Sequence, residues 1–383
     1  MHQTKRILFC LLLLLPFGCI KPYDPQIDSN TESKYVVSGS VTNIEGWHEV
    51  EVTMSTPVEK PGYIPAEGCQ VTIEDDRGNG FTAEEYSPGH YHVWIGQSYL
   101  IPGISYRVRV MTPTGEVIES GFDQMAKGPP LDTVYYSILD LATNNPTVFH
   151  RVMQFYIDLD ALGDYSQFYK WDIIETWEYH AEHPLEYYYN GDWHRVDPPD
   201  YSKQVCYTTQ YVRNLFTIST QNLSENKYTK YPLHYIDGNT SRLAYLYSML
   251  VKQLALSEKA YNYWDQLRIN SNEQGGLYEK QPLAIKGNIK NLSAPEKEVL
   301  GYFFAASESS HRYFYKDVEG ITIDYYNNCF EDELGRGGWR QFRPSDYPVY
   351  YTYISGALRI LTPNCIDCRL SGGTTLKPIF WPR

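Results

Sequence analysis

Between Tyr35 and about Met125, apolar and polar residues alternate in short runs that turn signals interrupt. "YVVSGSVTN", "EVEVTMSTPV", "CQVTIEDD", "HYHVWIG", "SYRVRVMT" and "EVIESGF" place side chains alternately on two faces, and "DDRGNG", "SPGHY", "IPGIS" and "TPTGE" supply the Gly, Pro and Asn between them. Period-two patterning in pieces this short excludes an amphipathic helix and predicts antiparallel strands joined by tight turns. Six or seven such strands within roughly 90 residues predict a β-sandwich of immunoglobulin or fibronectin-III type. The tryptophan flanked by two cysteines that marks antibody domains is missing.

"AKGPPLDTV" reads as a linker, since paired prolines oppose both helix and central strand. Beyond it, "RVMQFYIDLDAL" and "QFYKWDIIETWEYHA" alternate again and predict a long hairpin. In "SRLAYLYSMLVKQLALSEKAYNYWDQLRI" the residues Leu250, Leu254, Tyr261, Trp264 and Leu267 recur at helical intervals, with Ser257 followed by Glu258 as a capping signal. "KEVLGYFFAASESSHRYFYKD" and "YPVYYTYISG" return to strand composition. The chain is therefore expected to be mainly β: a sandwich domain over 35–127, then a second mostly β domain over 128–383 with a helical insertion at about 241–270.

The chain begins differently. Lys5 and Arg6 precede an apolar run from Ile7 to Phe17, then Gly18 and Cys19. Eleven helical residues rise only about 16 Å, short of the roughly 20 residues a spanning helix needs. The pattern predicts a secretory signal over 1–18, and the cysteine after a small residue predicts lipid attachment at Cys19. The lipoprotein box is relaxed, with Pro16 and Phe17 where leucine and a small residue are usual. A polar, proline-containing tether over 19–34 would leave the mature protein on a membrane surface outside the cytoplasm.

In that setting disulfides are allowed. Cys69, Cys206, Cys329, Cys365 and Cys368 remain after the signal and lipid site, an odd number that leaves at least one thiol unpaired. The disulfide candidates are Cys206, Cys329, Cys365 and Cys368. A zinc half-site or redox pair at "CIDC", or free buried thiols, stay open as alternatives, but the pair runs into Gly372–Gly373 rather than into a strand–helix context.

Charge removes other classes. The full chain carries a formal −13, and loss of Lys5 and Arg6 makes it −15, which argues against nucleic acid. Serine-hydrolase, zinc-protease, phosphate-loop and dinucleotide motifs are missing. No catalytic residue, metal ligand or cofactor is assigned. His90 and His92 share a strand face but make only half a zinc site. Glu178, His180, Glu182 and His183 crowd a strand end, where a metal or pH-sensitive patch is conceivable. Asp158 and Asp160 share a face without a sign of a pocket.

Tyrosine is the compositional outlier, 36 residues against 14 Phe. Its ring suits half-exposed sheet faces and binding surfaces alike. The densest group is Tyr187, Tyr188, Tyr189 and Trp193, between Pro184 and Pro198–Pro199. It is the ligand-binding candidate, against the alternative that the loop folds onto its own sheet.

Several segments resemble a known family. "YSMLVKQLALSEKAYNYWDQLRINSNEQGGLYEKQP", "IKGNIKN", "EKEVLGYFFAASESS", the terminal "CIDCRLSGGTTLKPIFW" and the opening "YVVSGSVTN" are similar to the domain of unknown function 4249, a family of Bacteroidota lipoproteins. The resemblance implies association with TonB-dependent outer-membrane transporters and assigns no site residues. Gly287 and Asn288 are expected in a left-handed turn, Tyr261 and Trp264 in packing. The expected function is a non-enzymatic outer-membrane lipoprotein that assists such a barrel in nutrient capture or uptake, its ligand and the membrane face it occupies unassigned. A structural envelope lipoprotein, or an extracytoplasmic enzyme of unrecognised type, is the alternative.

Overall fold

The computed structural model describes residues 33–57, 60–142, 147, 149–272, 285–323 and 329–382. The signal segment, Cys19 and the tether as far as residue 32 lie outside the described residues. The chain is mainly β, as the alternation predicts. No helix among the described residues is long and apolar enough to cross a membrane.

A ten-stranded sheet organises the molecule. Its spatial order runs Val205–Tyr211, Phe168–His180, Tyr247–Ala255, Phe303–Tyr315, Tyr35–Thr42, Gly46–Met54, His90–Ile95, Glu84–Ser87, with Phe216–Ser219 also paired to Phe168–His180 and Ile64–Pro65 to Gly46–Met54. The early and late parts of the chain meet through parallel pairing, with Gly39 opposite Phe303 and Thr42 opposite Ala306. A second sheet, containing Gln70–Asp75, Ser105–Met111, Val117–Ser120 and Ile289–Asn291, covers one end of the first. Val37, Val50, Ile73, Tyr91, Val108 and Phe303 are buried between them. Alternation delivers this core: in His90–Ile95 the residues Tyr91, Val93 and Ile95 point in, and His90, His92 and Trp94 point out. Ile289 and Phe303 belong to the late chain, so residues far beyond 127 help close the sandwich.

The expected long hairpin does not form. Phe149–Asp160 pairs with Val134–Ala142 and Lys227–Asp237 in a three-stranded sheet, whereas Phe168–His180 sits in the ten-stranded one. The two strands are neighbours in sequence and pack face to face, burying Phe155, Ile157, Trp171 and Ile173 in one core. Alternation identifies a strand and its faces; it says nothing about which edge the strand pairs with.

The helical insertion also starts later than expected. Tyr247–Ala255, which contains Leu250 and Leu254, is a strand, and the helix runs Glu258–Asn272. The strand is central, with Met249 and Val251 buried on one face and Leu254 on the other. Apolar residues on both faces erase the period that separates strand from helix. The capping signal itself holds: Ser257 Oγ accepts the Ala260 N–H at 3.1 Å and donates to the buried Asp123 at 2.6 Å. Tyr261 and Trp264 pack as expected, against Phe168 and Phe304.

Gly287 has a different reason from the one expected. It does not adopt a left-handed conformation; a Cβ there would lie 1.8 Å from the Gly301 carbonyl oxygen. Two backbones cross with no room for a side chain. Asn288 then bonds Phe303 twice, accepting its N–H at 3.0 Å and donating to its carbonyl at 2.7 Å.

Candidate functional site

The aromatic segment is a hairpin rather than a loose loop. Leu185–Tyr189 pairs with Trp193–Asp200 and, on its other side, with Val349–Ile354. Ala357–Leu361 and Glu331–Glu333 complete a five-stranded antiparallel sheet. Cys329–Cys365 links the chain entering Glu331–Glu333 to the turn leaving its neighbour Ala357–Leu361, and Cys206–Cys368 ties the following turn to the ten-stranded sheet. Each cysteine of "CIDC" thus bonds a distant partner. Cys69 is the free, buried thiol among the described residues.

Register sorts the rings. Tyr189 is opposite Trp193, while Tyr187 is opposite both Arg195 and Tyr351, and directly opposed residues share a face. Tyr188 points to the reverse side and stacks on His194 at 4.5 Å. The reverse side covers a small core of Leu361, Cys365 and Ile366. The front carries Tyr187, Tyr189, Trp193, Tyr351 and Tyr353. Trp339, from the connection after Glu333, lies over it, 4.2 Å from Trp193, 4.8 Å from Tyr189 and 5.1 Å from Tyr351 between ring centres.

How the rings meet decides what is left for a ligand. Tyr187 and Tyr351 stack on each other, and Tyr351 is buried, which pushes its phenol up from the ordinary value with Tyr353 and Tyr187 adding to the effect. Trp193 and Tyr353 are different. They are 55% and 53% exposed, and every ring that touches them does so at a steep angle, between 61° and 89°. No parallel neighbour among the described residues covers their faces. Such faces can take the flat, apolar side of a ligand.

The remaining sequence candidates have internal partners. A cleft of about 390 Å³ lies beside the Cys206–Cys368 bridge, lined in part by Trp177, His180, Gln210 and Arg242. Arg242 and Gln210 both donate to the buried Glu175, and His180 bonds Glu178 at 2.8 Å while stacking on Tyr245. Burial pushes the Glu175 carboxyl up, but bonds from His234 and Gln210 and the Arg242 charge outweigh it and hold it below the usual range. Glu182, His183, Cys329 and Glu331 converge within 4.8 Å, the arrangement of a metal site, yet the Cys329 sulfur is committed to its disulfide and His183 bonds Glu331. Asp158 accepts from Tyr135 and the Lys230 backbone, and Asp160 pairs with Lys227. His90 and His92 do share an outward face, among the rings of Trp47, Tyr63 and Tyr86.

Of the four sequence candidates, the structure puts Tyr187, Tyr189 and Trp193 on the front face and Tyr188 on the reverse, and it brings Trp339, Tyr351 and Tyr353, which sequence reading did not name, to the front. "YPVYYTYISG" held the signal for the last two, as alternate tyrosines in a strand share a face. Residues 20–312 match the profile of a domain of unknown function, DUF4249. The match takes in the hairpin 185–200 and stops before the strands and Trp339 that complete the aromatic face. No curated protein matches the chain.

Proposed function

The chain belongs to the DUF4249 family, and from that premise we propose a non-enzymatic, lipid-anchored capture protein of the outer membrane that works with a TonB-dependent barrel. The observation that carries this reading is the rigid sheet face on which Trp193 and Tyr353 present uncovered rings. A lipid on Cys19 would hold that face near the membrane and raise the effective concentration of captured ligand at a neighbouring transporter. The rings are carried by paired strands and a disulfide, so little conformational freedom is lost on binding. This reading assigns no acid–base role to the His–Glu pairs at 180/178 and 183/331, which bond to each other, the first of them at the edge of the cleft beside the Cys206–Cys368 bridge.

The test is detergent extraction of the native membrane, affinity isolation and mass spectrometry, with labelled palmitate to follow the anchor. A stoichiometric TonB-dependent barrel, with label lost in Cys19→Ala, is the expected result. Recovery of the lipidated protein alone moves the weight to a structural envelope lipoprotein, and loss of neither label nor membrane association in Cys19→Ala removes the anchor from the scheme.

A further inference from the structure

The segment that lays Trp339 over the aromatic face reads "LGRGGWRQFRPS" over residues 334–345. It carries Arg336, Arg340 and Arg343 and no acidic residue, in a chain whose net charge is −13. All three arginines are exposed, and none forms an ion pair among the described residues. Of the carboxylates that flank the segment, Asp346 accepts the Arg343 backbone N–H at 2.8 Å, Glu333 accepts from Arg359, and Glu331 bonds His183. A fourth arginine, Arg195, stands opposite Tyr187 on the front face itself. Its contact with Asp197 is 3.6 Å long between side chains that are 64% and 68% exposed, a pair too weak and too wet to occupy it.

Four exposed arginines without a close ion pair thus adjoin the open ring faces in a chain of net negative charge, and Asp332, opposite Ile360 and so on the face of Tyr351, is an exposed carboxylate beside them. Guanidinium groups bind carboxylate or sulfate in a planar, two-pronged manner, and aromatic faces take the apolar side of a pyranose ring. An extended peptide would instead add to a sheet edge. Both edges here oppose that: Trp193–Asp200 contains Pro198 and Pro199, and Glu331–Glu333 is three residues long and wholly acidic.

We propose that this face binds an anionic saccharide, with sugar rings on Trp193 and Tyr353 and uronate or sulfate groups met by the arginines of 334–343 and by Arg195. The inference rests on the capture reading and adds the ligand class to it.

The test is calorimetry on the purified full-length protein in detergent. The probes are oligogalacturonate, a heparin-derived oligosaccharide, neutral oligogalactan and oligoglutamate. The expected result is that at least one acidic saccharide binds. Its affinity falls at least tenfold in Trp193→Ala and in an Arg340→Gln/Arg343→Gln double variant, and falls with added salt. Equal or stronger binding of the galactan, lost in Trp193→Ala but unchanged in the arginine variant, overturns the anionic class and leaves the capture reading standing. Oligoglutamate binding as tightly as the saccharides shows that charge alone is recognised and overturns the saccharide. Silence towards all four, from protein with intact disulfides and a native circular dichroism spectrum, overturns this proposal. If the membrane isolation also yields no barrel, the capture reading falls with it.

Discussion

Two surfaces of this protein are paved with aromatic rings, and they use them in opposite ways. On the first sandwich, Trp47, His92 and Tyr86 come from three adjacent strands and stack in parallel, with centres 4.1 and 4.4 Å apart. Tyr63 stacks on His90, and Glu49 accepts from Tyr86 and bonds His90 at 2.8 Å. Trp47 is 58% exposed, yet one of its faces is already used by a neighbour. On the hairpin sheet, equally exposed Trp193 and Tyr353 have only steep-angle neighbours. Exposure alone therefore does not mark a binding surface; the angle between rings does, since parallel stacking consumes the area that a ligand would bury.

The comparison can be broken at four points. The largest expected effect is on the staple of the hairpin sheet. Replacing Cys329 and Cys365 by Ser releases a closure of 36 residues, about 4 kcal/mol in the chain-entropy account. Hydrogen exchange should rise in 349–361 and stay unchanged in 90–95; uniform protection in the variant would mean that the staple does not support the face.

Acid should act on the other surface. His48 lies beneath the stacked rings, and burial pushes it down from 6.5 to about 4, with a backbone bond at Ile44 opposing weakly. The folded state then binds fewer protons than the unfolded one across that range. Its contribution is complete above about pH 6.5 and is lost progressively as pH falls towards 4, by up to about 3 kcal/mol. Urea titrations at pH 7 and 4.5 should show the loss, and His48→Leu should flatten it; an unchanged pH slope in that variant refutes the assignment.

Next in size is ligand affinity. Trp193→Ala should weaken saccharide binding about tenfold, near 1.4 kcal/mol, with Trp47→Ala unchanged. Equal losses in both variants would erase the distinction between the surfaces. The smallest effect is the converse on stability, where Trp47→Ala should cost about 1 kcal/mol through the broken stack and Trp193→Ala less. Thermal denaturation of the two variants measures it, and the opposite ranking would count against parallel stacking as the difference.

Some of this was readable beforehand. Tyr187, Tyr189 and Trp193 are spaced so that a tight hairpin puts them on one face, and Ser257 before Glu258 announced the helix start. Trp339 could not be found, because its position over Tyr189 and Tyr351 depends on an irregular connection with no period. Leu250 and Leu254 misled because a strand buried on both faces looks like a helix in its apolar content. Arg340 and Arg343 were visible as charges, but their meaning depends on what lies beneath them.

By itself the sequence determined the strand-rich class, the inward and outward residues of the alternating strands such as His90–Ile95, the cysteines available for bridging and the family. These follow from local chemistry: side-chain alternation, turn residues and motif content act within a few positions. Tertiary structure alone decided which strands pair, that Gly39 would meet Phe303 across the chain, which cysteines join and which rings keep an open face. Those outcomes depend on contacts between residues distant in sequence, 36 positions apart at Cys329–Cys365 and 162 at Cys206–Cys368, set by shape and burial that no local pattern encodes.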